Sequence, residues 1–425
     1  METTMKITGI IAEYNPFHKG HQYHLEQTRK QTEADFCMVI MSGDFVQRGT
    51  PAILDKYTRT RMALEGGADL VFELPCAYAT ASAELFSEAA ITFFQKTGCV
   101  DALCFGSEQA SLPLLSRIAR ILNDEPEGYR VLLQQQLKEG LSYPRAVYGA
   151  LTRFLLESDT LTESTIEQAY KIASQLSYPN NILGIEYLKA LFRLGSTIEP
   201  FCIHRKGSSH HSAELTDHEL GSSSAIRELI ESGGNMQLIR RHVPEYSFEQ
   251  LSSRYQVSYP IDEDDLSPLL NYRILMESSL EQTADMTKDL AMRIRNHSLE
   301  PASFSEWSMA LKTKNITHTH VCRALLHTVL QITKEDMISY RQAGLIPYAR
   351  LLGFRKEAEP VLSLMKKTSQ IPIVTKVADA ERHLSPEAMQ LFRKDLQAAE
   401  LYRSLVYQRY RTSLPDEYRA GMIRI

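Results

Sequence analysis

Hydrophobic and polar positions alternate in blocks through the first hundred residues of the chain. Short apolar runs that end at polar or glycine-rich segments predict buried strands at 7–12, 34–41, 68–74 and 100–105. Helical periodicity between these runs predicts helices at 18–31, 56–65 and 82–97. Strands that alternate with helices in this way predict a parallel sheet with right-handed crossovers and helices on both faces.

The pattern changes along the remainder of the chain. Helical periodicity continues through 113–153, a further helix is predicted at 178–194, and a fifth strand at 198–204 precedes a helix that begins near Gly221. After Gly233 and Gly234 the periodicity is mostly helical, and the clearest strand signal there is 371–377. We therefore predict an α/β domain at 1–234 and a mainly α-helical C-terminal domain at 235–425.

Composition narrows the class of protein. The 425 residues are 43% hydrophobic and 23% charged, which is ordinary for a globular protein. No apolar run approaches the ~20 residues that span a bilayer, no signal peptide is visible, and the six cysteines form no CxxC pair. These features predict a cytoplasmic protein with reduced thiols and no membrane partner. The net charge of −5 argues against non-specific coating of nucleic acid, although it permits a local basic surface.

Polar segments follow several of the predicted strands. Ligands of parallel sheets bind at the carboxyl ends of the strands, so segments 15–21, 42–48 and 106–108 are predicted to share one rim. His18 and His21 lie three residues apart at the start of a helix, where unpaired backbone amides attract phosphate. Gly20 between them would let a ligand approach the backbone. The alternative is two histidines on an ordinary polar helix end.

Further candidate residues lie downstream, and each has a simpler interpretation. Asn180 can cap its helix, and Arg205 and Lys206 can contact phosphate or belong to a solvated loop. His204, His210 and His211 fit a surface loop better than a metal site. Segment 222–227 can cap a helix or bind phosphate. Basic and aromatic residues that could face RNA or simply cover the helical core are Tyr348, Arg350, Phe354, Arg355, Lys356, Lys366, Lys367, Tyr402, Arg403, Tyr407, Arg409, Tyr410 and Arg411.

Several of these segments also resemble a known family. EYNPFHKGH at 13–21 resembles the HxGH motif of the nucleotidyltransferase superfamily, which shares its fold with class I aminoacyl-tRNA synthetases. SSSAIR at 222–227 is similar to the later Ser-Ser-Thr-x-Ile-Arg motif, with Ser224 in place of the usual Thr. Four further segments match one family within this superfamily: MSGDFVQRG at 41–49, FGSE at 105–108, PNNILG at 179–184 and RLLG at 350–353. Nearly the whole chain thus resembles the bacterial tRNA(Met) cytidine acetate ligase family. Lys19 departs from the expected Asn and receives no role by analogy.

The resemblance implies a Rossmann-like parallel-sheet nucleotidyltransferase domain (HUP-type) and a reaction in two steps. Acetate attacks ATP to give acetyl-adenylate and pyrophosphate. The exocyclic amine of the wobble cytidine in elongator tRNA(Met) then attacks the acetyl carbon, which gives N4-acetylcytidine and AMP. The implied partners are ATP, acetate and elongator tRNA(Met), with Mg²⁺ accompanying ATP; no DNA partner is implied.

The resemblance also implies which residues form the site. His18 and His21 would be catalytic, and the tRNA would be bound within 235–425. No protein ligand set for a metal is predicted, and Asp44, Gln47 and Lys206 are further candidates for the acetate or phosphate pocket. The implied ATP-binding residues are Ile11, Ala12, Glu13, Tyr14, Asn15, Pro16, Phe17, His18, Lys19, Gly20, His21, Gln22, Tyr23, His24, Gly106, Asn180 and Arg205.

Two alternatives of different kinds remain at this point. A nucleotidyltransferase that makes a small nucleotide cofactor would use the same HxGH chemistry, although that reaction can be served by a compact single domain. A non-catalytic RNA-binding protein could retain a vestigial nucleotide site, although the intact pair His18 and His21 argues against it.

Overall fold

A computed structural model describes residues 5–158, 163–205, 221–297 and 301–425. The strands are β1 Ile7–Ala12, β2 Phe36–Ser42, β3 Phe45–Val46, β4 Thr50–Pro51, β5 Leu70–Leu74, β6 Ala102–Ser107, β7 Glu199–His204, β8 Ala349–Phe354, β9 Ile373–Val374 and β10 Ile423–Arg424. The first seven helices are α1 Lys19–Thr32, α2 Lys56–Glu65, α3 Cys76–Ala79, α4 Ala83–Thr97, α5 Leu112–Asp124, α6 Glu127–Lys138 and α7 Tyr143–Ser158.

Helices continue through the rest of the described chain. They are α8 Glu163–Ala173, α9 Pro179–Arg193, α10 Ser223–Glu231, α11 Met236–Arg240, α12 Glu245–Arg254, α13 Ser267–Met276, α14 Lys288–His297, α15 Phe304–Leu311, α16 His318–Leu330, α17 Lys334–Gln342, α18 Glu359–Thr368, α19 Ala380–His383 and α20 Pro386–Tyr410. Short 3₁₀ turns lie at Ser174–Ser177, Glu263–Leu266, Leu280–Gln282, Lys356–Ala358 and Val377–Asp379. In the described ranges, no helix is long and apolar enough to span a bilayer.

The main sheet follows the order β10-β8-β5-β2-β1-β6-β7, with β9 beside β8. All neighbouring strands are parallel except β5 and β8, which run antiparallel. The predicted parallel α/β sheet is therefore confirmed for its five N-terminal members. The strand β8 was not predicted, and the strand predicted at 371–377 is limited to Ile373–Val374.

Both faces of the sheet are covered, as the alternation of side chains along β2 shows. Met38 and Ile40 belong to one buried apolar cluster, whereas Cys37, Val39 and Met41 belong to a second cluster. Successive strand residues point to opposite faces, so two separate cores require helices on both sides of the sheet. The continuous apolar runs of the sequence reflect this double burial.

The sheet draws strands from both sides of the boundary predicted at 234. The strand β8 pairs with β5 so that Arg350 lies opposite Glu73, and β10 pairs with β8 through Ile423 and Gly353. The region after 234 is otherwise mainly helical, as predicted, apart from the short strand β9 beside β8. The division into two domains stays a prediction, and the strands at 349–354 and 423–424 extend the N-terminal sheet.

Candidate active site

The turn between β1 and α1 is built by the Asn-Pro-Phe segment. The side-chain Oδ1 of Asn15 accepts a hydrogen bond from the backbone N–H of Ile53 at 2.8 Å. The Phe17 ring lies against Tyr14, with ring centroids 4.9 Å apart, and fills the space where a side chain on Gly66 would begin. Tyr14 has a positive φ of 49°. These contacts fix the turn, so this part of the motif presents the following histidines rather than reacting itself.

His18 and His21 hold each other at the N-terminus of α1. His18 is the N-cap, and its Nδ1 accepts the backbone N–H of Gly20 at 2.9 Å. The Nδ1 of His21 accepts the backbone N–H of His18 at 3.3 Å, and the two rings stack with centroids 3.8 Å apart. A Cβ on Gly20 would lie 2.7 Å from Cε1 of His18. Gly20 therefore makes room for the imidazole, which differs from the backbone approach expected from the sequence.

These hydrogen bonds determine the tautomer of both rings. A backbone amide can only donate, so each Nδ1 must be an unprotonated acceptor, and the neutral imidazole then carries its proton on Nε2. The Nε2 atoms of His18 and His24 are buried and have no hydrogen-bond partner among the described residues. A buried donor without a partner is costly unless a ligand satisfies it. The site therefore fits a ligand with hydrogen-bond acceptors.

Burial keeps the imidazoles neutral. It lowers the pKa of His18 to about 3, with smaller contributions from the charges of Arg205, His242 and Arg227. Burial and Arg205 lower the pKa of His24 to about 4, and burial and His18 lower that of His21 well below its usual value. At neutral pH these imidazoles are therefore uncharged, and those of His18 and His21 can offer Nε2–H as a hydrogen-bond donor.

Arg205 and Asn180 meet at the carboxyl end of β6. Arg205 follows β7, and its Nη1 donates to the side-chain oxygen of Asn180 at 3.1 Å. Asn180 is not the cap of α9, which is Tyr178; its side-chain amide donates to Glu108 at 2.6 Å. The carboxylate of Glu108 also accepts the first backbone amides of α9, from Asn180 and Asn181. The FGSE and PNNILG segments thus form one structure that orients Arg205.

Gly106 permits this arrangement. A Cβ at Gly106 would lie 3.1 Å from Cγ of Arg205, so the aliphatic part of the arginine occupies the space beside the glycine. The family resemblance implied that Gly106 belongs to the ATP site. The remaining predicted ATP-binding positions, Ile11, Ala12, Gln22 and Tyr23, are partly buried at the end of β1 and on the first turns of α1.

The SSSAIR segment at 222–227 contacts the turn that precedes His18. Ser222 caps α10 by accepting the backbone N–H of Ala225, which is one of the two roles that the sequence left open. Arg227 donates from Nη1 to the carbonyl of Asn15 at 2.7 Å. Its positive charge also contributes to the lowered pKa of His18. Two motifs that are about 200 residues apart in sequence are therefore joined at the same turn.

Two of the three additional pocket candidates have other partners, and one lies outside the described residues. Asp44 accepts the backbone N–H of Lys56 at 2.7 Å and lies in a buried ionic cluster, where burial raises its pKa to about 7 against the effect of Lys56. Gln47 donates its backbone N–H to Glu13 at 2.8 Å. Lys206 lies outside the described residues, as do His210 and His211. Lys19 donates to the carbonyl of Arg241 at 2.7 Å.

The structure also identifies a residue that the sequence did not indicate. Arg59 is fully buried and donates to the carbonyls of Glu13 at 2.7 Å and Ser42 at 3.0 Å, and to that of Gly43. It therefore ties the ends of β1 and β2 together at the rim. An arginine within an ordinary helical pattern gave no signal of this role.

Comparisons with known proteins show the family of this chain. The model of the HIGH Nucleotidyl Transferase family matches residues 5–417. The tRNA(Met) cytidine acetate ligase of Halothermothrix orenii is 38% identical over 406 residues, which cover 95% of this chain and 92% of the relative. The chain belongs to this ligase family. The protein of the same name from Thermoanaerobacter sp. is also 38% identical, over 95% of this chain and 96% of the relative.

Solved structures of the ligase family have the same fold. The apo crystal structure of Thermotoga maritima TmcAL superposes with a TM-score of 0.91 at 29% identity and covers 99% of this chain and 100% of that one. The structure of the same protein with alpha-thio ATP gives a TM-score of 0.85 over the same coverage. The predicted fold class is therefore confirmed.

Proposed function

We propose that this protein is an ATP-dependent ligase that acetylates the wobble cytidine of elongator tRNA(Met). An acetate oxygen attacks the α-phosphorus of ATP, the bond to the β-phosphate oxygen breaks, and pyrophosphate leaves. The cytidine N4 amine then attacks the acetyl carbon, and AMP leaves as N4-acetylcytidine forms. Relatives that carry this ligase name, and a TmcAL structure with an ATP analogue, support the assignment.

The paired neutral imidazoles at the N-terminus of α1 carry the first step of this proposal. His18 has its Nδ1 fixed by a backbone amide and its Nε2–H without a partner among the described residues. A donor held in place strengthens its hydrogen bond as negative charge grows on the phosphoryl oxygens, and it needs no reorganisation. Because burial lowers the pKa of His18 to about 3, the ring is neutral at neutral pH before the nucleotide binds, and its Nε2–H is available as a hydrogen-bond donor.

Fixed cations complete the phosphate site. Arg205 is oriented by Asn180, and its charge affects all three imidazoles, His18, His21 and His24. Arg227 is held at the same turn by its hydrogen bond to the carbonyl of Asn15. We assign the α-phosphate to the imidazoles and Arg205, and the more distal phosphates to the region of Arg227. The full ATP-binding set, from 11–24 with Gly106, Asn180 and Arg205, is part of this proposal.

We propose that Mg²⁺ binds together with ATP and not at a protein site of its own. Within the described ranges there is no group of three or more His, Cys, Asp or Glu residues that could hold a metal ion. The carboxylates nearest the turn are engaged, because Glu13 accepts the amide of Gln47 and Glu108 accepts those of α9. Mg²⁺ commonly binds through substrate phosphates and water, so it would arrive with the nucleotide.

The acceptor would be selected outside the nucleotide site. We propose that 235–425 binds the tRNA and that the wobble base is flipped out, since a stacked base hides its amine. Acetate as the acyl donor and the cytoplasm as the location belong to the same proposal.

The test uses the full chain with ATP, labelled acetate and bulk tRNA, followed by digestion of the tRNA to nucleosides. Label in acetylcytidine is expected, and acetate-dependent ATP–pyrophosphate exchange should occur without tRNA. His21→Ala should abolish both, with tRNA affinity nearly unchanged. His383→Ala, at an exposed position on α19, is the matched control. A phosphorylated small molecule with no label in RNA would refute the proposal, as would RNA binding without ATP turnover.

A further inference from the structure

Arg48 occupies the tip of a small hairpin at the rim of the sheet. The hairpin pairs β3 with β4 through Val46 and Thr50, and the backbone N–H of Gly49 donates to the carbonyl of Val46 at 2.9 Å. Gly49 has a φ of +82°, and a Cβ there would lie 2.4 Å from the backbone nitrogen of Arg323 in α16. The tip therefore packs directly on a helix backbone, and Arg48 projects from a fixed position although it is exposed.

The same hairpin is tied to the turn that carries the histidines. Gln47, the neighbour of Arg48, donates its backbone N–H to the carboxylate of Glu13 at 2.8 Å. Arg227 donates to the carbonyl of Asn15, two residues further along the turn, at 2.7 Å. Arg48 and Arg227 are thus brought together from distant parts of the chain by adjacent anchors. Burial lowers the pKa of Arg227, and the nearby charge of Arg48 lowers it further.

The charges around Arg48 and Arg227 favour the binding of an anion between them. Neither Arg48 nor Arg227 has a carboxylate oxygen within 4 Å in the described part of the chain. Glu13, Glu231 and Glu263 contribute more distant negative charge at Arg227, and Glu13 already accepts the amide of Gln47. Two guanidinium groups held close together repel each other, and an anion between them removes that cost. Guanidinium groups match the oxygens of phosphate in shape and charge.

We infer that Arg48 is a further anion-binding residue, which with Arg227 holds the terminal phosphates of ATP and then the departing pyrophosphate. The inference rests on the proposed function. Arg227 is hydrogen-bonded to Asn15, three residues before His18, and Arg48 lies on the exposed tip of the hairpin that is anchored at Glu13. The proposed path therefore runs from the buried imidazoles past Arg227 to Arg48 at the exposed edge. A triphosphate whose α-phosphate lies at the imidazoles would extend along this line. Pyrophosphate gains charge as its bond to the α-phosphorus breaks, so this contact assists its departure.

The experiment compares Arg48→Gln and Arg48→Lys with wild type in acetate-dependent ATP–pyrophosphate exchange without tRNA. The control is Arg61→Gln, an arginine on α2 that pairs with Glu65. We expect Arg48→Gln to raise the KM of both ATP and pyrophosphate by about tenfold or more, since hydrogen bonds to charged groups contribute roughly 1.5–3 kcal/mol. Arg48→Lys should keep part of the affinity. The KM of acetate and the Kd of tRNA should stay within about twofold of wild type.

The outcomes distinguish the sources of the anion. Unchanged KM values for ATP and pyrophosphate in Arg48→Gln would overturn the inference, as would a change confined to acetate or to tRNA affinity. A change confined to tRNA would assign Arg48 to RNA phosphates. If wild type itself shows no acetate-dependent exchange, the proposed function fails first, and direct titration of wild type and Arg48→Gln with inorganic pyrophosphate tests the anion contact separately.

Discussion

His18 has two separate roles, and a pair of substitutions should separate them. Its Nδ1 caps α1 through Gly20, whereas its Nε2–H is the buried donor without a partner. The Oδ1 of asparagine is as many bonds from Cα as Nδ1 of histidine, and Asn is among the best N-cap residues. His18→Asn should therefore keep the cap and lose the donor, whereas His18→Ala should lose both.

The expected magnitudes follow from these contacts. Loss of one preorganised donor to a developing anion typically lowers kcat by roughly 10²–10³, so both variants should fall to this level in acetate-dependent ATP–pyrophosphate exchange. Loss of an N-cap costs roughly 0.5–2 kcal/mol, so His18→Ala alone should unfold about 0.5–2 °C lower in a thermal scan of a chain of this length. If His18→Asn keeps more than a fifth of the wild-type kcat, or loses as much stability as His18→Ala, the assignment of two separate roles is wrong.

Three further substitutions test other parts of the structure. Gly20→Ala should lower kcat at least tenfold in the same exchange assay, because its Cβ would lie 2.7 Å from Cε1 of His18 and displace that ring; an unchanged kcat would contradict this. Arg350→Met should reduce the free energy of unfolding in urea by about 3–5 kcal/mol, because it leaves Glu73 buried with one cation fewer; a loss below 1 kcal/mol would contradict this. Burial raises the pKa of Asp44 to about 7 in the folded state, above its ordinary value of 3.8. As the pH falls, Asp44 is therefore protonated at a higher pH in the folded state than in the unfolded chain. The stability of wild type relative to Asp44→Asn should therefore rise as the pH falls from 7 towards 4, and an unchanged difference would refute the shift.

The sequence predicted the first half of the fold because double burial leaves a strong pattern. The α2 prediction at 56–65 matches the structure, with Asp55 as its N-cap, and β1, β2 and β5 lie within two residues of the predicted strands. The strand β8 escaped prediction because Ala349–Phe354 lies within a region of helical periodicity and carries a charged residue. Arg350 is 3% exposed in that strand only because Glu73 and Glu417, both distant in sequence, neutralise it.

For the candidate site, the sequence could indicate the local features but not the contacts between residues that are distant in sequence. The spacing of His18 and His21 on a helix start is local, so the sequence could indicate a phosphate site. The tautomer of each ring depends on backbone amides that only the folded turn supplies. The positions of Asn180 and Arg205 depend on Glu108, which no local pattern connects to either.

Helix α2 shows why the C-terminal region matters to the site. On one side, Arg59 bonds the carbonyls of Glu13 and Ser42 and so fixes the ends of β1 and β2. One turn earlier, Lys56 is 1% exposed; it donates its backbone N–H to Asp44 and pairs its ammonium with Glu73 at 2.7 Å and Glu417 at 3.1 Å. A buried lysine needs such partners to stay charged, and one of them comes from the C-terminal segment. The segment around Glu417 therefore stabilises the helix that holds the rim with the candidate site.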